Sequence, residues 1–143
     1  MEKVVIEEIK KLEEERDMWK NKYLYSAADF DNYRKRSEVE KKSNFNNGVK
    51  YLALAILPVL DDFERAFNQN ELAEGGKLIY KKLVESLKSN GIEKMDVEIG
   101  DNFDADKHFA VSKVGGGNQI VEEILSGYTL NGVIIRYPMV NVG

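Results

Sequence analysis

The only histidine of this chain, His108, stands in Asp104-Ala105-Asp106-Lys107-His108, where an imidazole among carboxylates could hold a metal ion or shuttle a proton. Zinc takes three or four nitrogen, sulfur or carboxylate ligands, and no second His and no Cys is present to complete the set, so a turn-capping or packing role is expected for His108. Gly115-Gly116-Gly117-Asn118 has the composition of a phosphate cradle, but no Gly-Lys-Ser/Thr sequence or helix start follows, and it reads as a hairpin turn. Asp61 and Asp62 offer a carboxylate pair for hydrolysis. Adjacent helical positions diverge by roughly 100°, so the two cannot meet on one substrate atom, and Asp61 is expected instead to pair with Arg65 four residues on. With no nucleophile and base, no metal set and no cofactor cradle, neither an enzyme nor a bound cofactor is expected.

The remaining chemistry is that of recognition. Arg34, Lys35, Arg36, Lys41 and Lys42 fall within nine residues that contain only two acids, Glu38 and Glu40, and form a basic collar. A solvated helix face and a docking patch are both open readings of it. Nucleic acid is not an expected partner, because the net charge is -4 and no second basic stretch tracks phosphates. Without Cys there is no disulfide framework, which fits a reducing compartment. The amino terminus lacks the apolar core of a signal peptide and no run approaches the roughly 18 apolar residues of a membrane span, so a soluble, cytoplasmic protein without membrane contact is expected.

The elements that carry these residues fall into three stretches. Residues 2 to 47 contain no Pro or Gly, and steps of four and three from Val5 reach Ile9, Leu12, Arg16, Trp19, Tyr23, Ser26, Phe30, Tyr33, Ser37, Glu40 and Asn44. This is a heptad seam, apolar in its first half, that only another helix can cover. Val5, Ile9, Leu12, Trp19, Tyr23, Phe30 and Tyr33 are therefore expected to line a dimer interface. Asn46-Asn47-Gly48 offers a break or bend, after which Val49, Leu52, Ala53, Ile56, Leu57, Val59, Leu60, Phe63 and Phe67 give a second, strongly apolar helix, with a kink expected near Leu54 to Pro58. A third helix is expected from about Lys77 to Ser89, ended by Asn90-Gly91. Two such helices from each of two chains would make a dimeric four-helix bundle.

Beyond Gly91 the pattern turns to short β-branched segments: 92 to 97, 109 to 114, 119 to 125, 128 to 130, 133 to 137 and 139 to 142. Asn131-Gly132 is the strongest hairpin signal among them. The whole predicts an α+β chain: a long coiled-coil helix over 1–47, bundle helices over 48–90 and a small β domain over 91–143.

Four landmarks then fall in order: Phe30-Asp31-Asn32-Tyr33-Arg34-Lys35-Arg36; Leu57-Pro58-Val59-Leu60-Asp61-Asp62-Phe63-Glu64-Arg65-Ala66; Asn90-Gly91-Ile92-Glu93; and Gly127-Tyr128-Thr129-Leu130-Asn131-Gly132 with Ile135-Arg136 and Met139-Val140. Over about residues 27 to 142 the chain resembles the GrpE family, nucleotide exchange factors of DnaK-type Hsp70 chaperones. The resemblance implies a parallel homodimer in which one β wing docks on the Hsp70 ATPase domain, opens its cleft and speeds ADP release. It also implies partner contacts at Leu125, Tyr128, Ile134, Arg136, Met139 and Val142 in the wing, and at Asn32, Arg34, Lys35 and Arg36 in the stem. The chain departs from the family pattern at Val133, where Arg often follows Leu-Asn-Gly, and at Ala105, where Pro is usual. A structural coiled-coil tether or holdase without exchange activity is the alternative reading.

Overall fold

The computed structural model describes residues 1–143 and contains two helices and six strands. Helix α1 spans Glu2–Asn68 and α2 spans Glu74–Ser89; the strands are β1 Ile92–Lys94, β2 Phe109–Lys113, β3 Ile120–Leu125, β4 Tyr128–Leu130, β5 Val133–Arg136 and β6 Met139–Val142. The α+β class is as the sequence predicts. The chain divides into two compact units, Met1–Asn46 and Asn47–Gly143.

One expectation is overturned at Asn46-Asn47-Gly48, where no break occurs: α1 is continuous and includes both this triplet and Pro58. A single Gly costs a helix only about 1 kcal/mol and Asn less, penalties that the flanking helical turns outweigh. The helix also begins earlier than expected in α2, which takes in Gly75 and Gly76. Its first turn carries Glu74 at the positive end of the dipole, with Lys77 bridging to it at 3.2 Å.

In the first unit every residue of α1 that is apolar on the seam lies more than half exposed, as Val5, Ile9, Leu12, Trp19, Tyr23, Phe30 and Tyr33 all do. The second unit holds two cores. One gathers Ala53, Leu57 and Leu60 of α1 with Ile92, Tyr128 and Leu130, and Tyr80, Leu83, Val84 and Leu87 of α2 pack against it. The other joins Ile120, Val140 and Val142, flanked by Val97 and Phe103.

The strands form two three-stranded sheets. In β1-β4-β5 all neighbours are antiparallel, with Ile92 opposite Leu130 and Leu130 opposite Val133. The β4–β5 connection is the Asn131-Gly132 hairpin; both residues have positive φ, 50° and 83°, as the tightest two-residue turn requires. In β2-β6-β3, β6 is central, parallel to β2 and antiparallel to β3. This corrects the expected hairpin at Gly115-Gly116-Gly117-Asn118. β2 and β3 are not paired with each other; β6 lies between them, and the glycine loop carries the chain past it. Gln119 and Gly143 exchange backbone hydrogen bonds of 2.9 and 3.2 Å at that point.

Two glycines explain local features of the landmarks. Gly91, at φ 81°, ends α2 by donating to Lys88 O at 3.0 Å, and its carbonyl accepts from Asn131 N at 2.7 Å, which ties the helix stop to the hairpin. Gly127 has the buried Pro138 packed directly against its α-carbon, where any side chain would collide with the ring and backbone nitrogen of that proline.

Candidate partner interface

The basic collar belongs to the first unit. Arg34 and Lys35 both bridge to Asp31, at 3.1 and 2.7 Å, and Arg36 approaches Glu40 at 3.7 Å. Hydrogen bonds from Lys35 and then Arg34 lower the Asp31 pKa, and the same bond raises that of Lys35. These cations, with Asn32, remain exposed. Such exposed i,i+3 and i,i+4 pairs are weak and yield readily to a stronger anion.

In the second unit the residues around the hairpin separate into three groups. Tyr128 and Val142 are core side chains. Within this chain the Tyr128 ring and the Val142 methyls face inward and set the shape of the sheets. Burial also pushes the Tyr128 hydroxyl pKa upward, with the charge of Glu64 adding to it, so the phenol stays neutral. Leu125, Ile134 and Met139 are half-buried.

Arg136 forms the third group by itself. Its Nη1 and Nη2 donate to Asp61 Oδ2 and Oδ1, both at 2.6 Å, while Nε and Nη2 donate to the Ser126 carbonyl at 3.0 and 2.7 Å. Its guanidinium also lies over the Tyr128 ring at 5.3 Å. Four of the five N–H donors of an arginine are thereby used within the chain, and the side chains of Arg136 and Asp61 are only 15% and 17% exposed. Within this chain Arg136 is thus turned inward, toward α1. The expected Asp61–Arg65 pair is corrected, because Arg65 bridges to Asp62 at 2.5 Å, leaving Asp61 to face the sheet.

About one turn further along the same face the arrangement repeats. Glu64 pairs with Lys94 of β1 and accepts a hydrogen bond from the Ser126 hydroxyl at 3.2 Å. Burial works against the Lys94 ammonium, but its hydrogen bond to Glu64 and the charge of Glu64 prevail, and its pKa is raised. Sequence reasoning missed Glu64, Lys94 and Ser126. A signal was present in the register: Leu57, Leu60, Asp61 and Glu64 continue one apolar stripe of α1, so its last two members had to bury carboxylates. Also missed was the apolar surface of the β region, where Phe109, Val111, Val121, Ile124, Val133 and Tyr137 are exposed.

His108 takes the turn-capping role expected of it. Its Nδ1 accepts from the Asp104 backbone N–H at 3.1 Å, and its ring lies 5.9 Å from that of Phe103. No three His, Asp or Glu side chains converge for a metal ion.

The GrpE family model matches residues 1–143, the whole of this sequence. The chain belongs to the GrpE family. It is 36% identical over 148 residues to Protein GrpE of Bacteroides fragilis, an alignment covering 95% of this chain and 75% of that one. To Protein GrpE of Bacillus subtilis (strain 168) it is 36% identical, with 96% and 77% covered, and to that of Oceanobacillus iheyensis 34% identical, with 99% and 79% covered. These GrpE relatives support a co-chaperone role. No helix of the protein is long and apolar enough to cross a membrane.

Proposed function

We propose that this GrpE-family chain acts as a dimeric nucleotide exchange factor for a DnaK-type Hsp70 in the cytoplasm. The GrpE match along the full sequence carries this reading. The stem seam supports the dimer: seven large apolar side chains at heptad spacing lie exposed on one chain, and a second helix would bury them. The exposed Leu52, Val59, Leu78 and Ile79 likewise suit a four-helix bundle made with a second copy.

The mechanism needs no covalent chemistry from this chain. A partner shifts a conformational equilibrium only by its differential affinity, so the factor must bind the open ATPase domain more tightly than the closed one. Each 1.4 kcal/mol of that preference is worth about tenfold in population. Asn32, Arg34, Lys35 and Arg36 would meet acidic surface on the partner. Ile134, Met139 and Leu125, half-exposed beside the hairpin, would supply apolar contacts in the wing.

Stopped-flow release of labelled ADP from a cognate Hsp70 tests the reading. Release is expected to accelerate with added protein, and Arg34→Glu to weaken the response. If saturating protein leaves release unchanged while suppressing aggregation without Hsp70, the protein is a holdase or tether instead.

A further inference from the structure

The polar network under the hairpin has a geometry that simple stabilisation does not require. Asp61 and Glu64 lie three residues apart on one face of α1. Arg136 and Lys94 belong to β5 and β1, the two outer strands of the sheet β1-β4-β5. Each edge of the sheet is thus pinned to the same helical face. Ser126 joins the two pins, since its carbonyl accepts from Arg136 and its hydroxyl donates to Glu64. It is the only buried residue of the chain that is polar or charged. A sheet held at one point can pivot about it, whereas one held at two separated points cannot rotate without breaking a charge-assisted bond.

We propose that Asp61–Arg136 and Glu64–Lys94, linked through Ser126, form a two-point clasp that fixes the orientation of the β1-β4-β5 sheet on α1, so that docking of the wing is converted into cleft opening. This inference rests on the exchange reading for its consequence, though not for the clasp itself. The four charged members are positioning residues. They act on exchange through the sheet, and loss of one pin leaves the docking surface in place but lets the sheet swivel.

The apolar core beneath the sheet limits travel but does not forbid rotation, because Leu57, Leu60, Ile92 and Tyr128 make non-directional contacts. The bidentate Arg136–Asp61 contact is directional in the guanidinium plane, which gives it the larger share of the orientation.

The test separates docking from opening. For Asp61→Asn, ADP release and Hsp70 binding are measured as a function of protein concentration. The saturating release rate is expected to fall at least tenfold, while the half-saturating concentration changes less than threefold. Arg136→Lys, which keeps the charge but not the fork, is expected to fall between Asp61→Asn and the unmodified protein. If Asp61→Asn loses its native circular dichroism, Glu64→Gln provides the same readout at the second pin.

Because the chain has no cysteine, spin labels on Arg65→Cys and Val133→Cys report the sheet orientation in chains diluted with unlabelled protein. The distance distribution is expected to be narrow and to broaden with Asp61→Asn. An unbroadened distribution, or a saturating rate equal to that of the unmodified protein, would overturn the clasp. Equal loss of affinity with an unchanged saturating rate would also overturn it and return Arg136 to the docking surface. Failure of the unmodified protein to release ADP would defeat the exchange reading alone, since the distance measurement needs no Hsp70.

Discussion

Glu123 is the one side chain of the second unit with a buried, unpartnered atom, Oε1. Its pKa is raised, chiefly by burial; Lys94 opposes the shift and the charge of Glu64 adds to it. A carboxyl whose pKa is higher in the folded than in the unfolded chain binds its proton on folding. Its ionised form therefore costs stability at neutral pH, and the cost fades as pH falls through the raised value and below the ordinary 4.5. Glu123→Gln is expected to stabilise the protein at pH 7.5, modestly because the side chain is partly screened by solvent, with the gain vanishing near pH 4. Thermal unfolding at the two pH values checks this, and an equal gain at both would mean that ionisation is not the cause. Residue chemistry was partly legible from sequence. His108 could be placed in a turn because its neighbours left it no ligand set, whereas the partners of Arg136 and Glu64 depend on contacts 75 and 30 residues away in the chain, which no local pattern encodes.

At the scale of elements, the clearest departure from the sequence reading is the uninterrupted α1. Asn46-Asn47-Gly48 carries the residues of a turn, but turn chemistry acts only where the chain has somewhere else to go. Here the heptad stem on one side and the buried stripe of Ala53, Leu57 and Leu60 on the other both call for helix. Gly48 has open space where a side chain would project. Gly48→Ala is accordingly expected to stabilise α1 by about 1 kcal/mol, read as a rise in the midpoint of helix melting by circular dichroism. A fall in that midpoint would mean that Gly48 serves a bend or a close contact. The Asn131-Gly132 hairpin was legible because a two-residue turn encodes its own pairing. The glycine loop at 115–118 was not, because the strand that separates β2 from β3 comes from further along the chain.

For the molecule as a whole, what one chain leaves uncovered matters as much as what it buries. The apolar seam of the first unit is exposed in one chain, and in the proposed dimer a second copy covers it. Replacing both Trp19 and Tyr23 by Asp is expected to shift the protein toward monomer in light scattering, and to lower stem helicity more than the signal of the second unit. A dimer of unchanged strength would remove Val5 through Tyr33 from the interface. The same surface predicts that stem melting depends on protein concentration, as it must when association supplies the stabilisation.

The place of β6 in its sheet has a consequence for the order in which the strands can pair. The sheet β1-β4-β5 needs no strand beyond Arg136. The other sheet has β2 and β3 waiting, each without a neighbour, until Met139–Val142 slides between them. For that interval Phe109, Val111, Val121 and Ile124 stand on unpaired strand edges, the kind of surface that invites pairing with another chain. A protein of a co-chaperone family thus keeps open, until β6 is in place, the kind of edge that chaperones exist to guard.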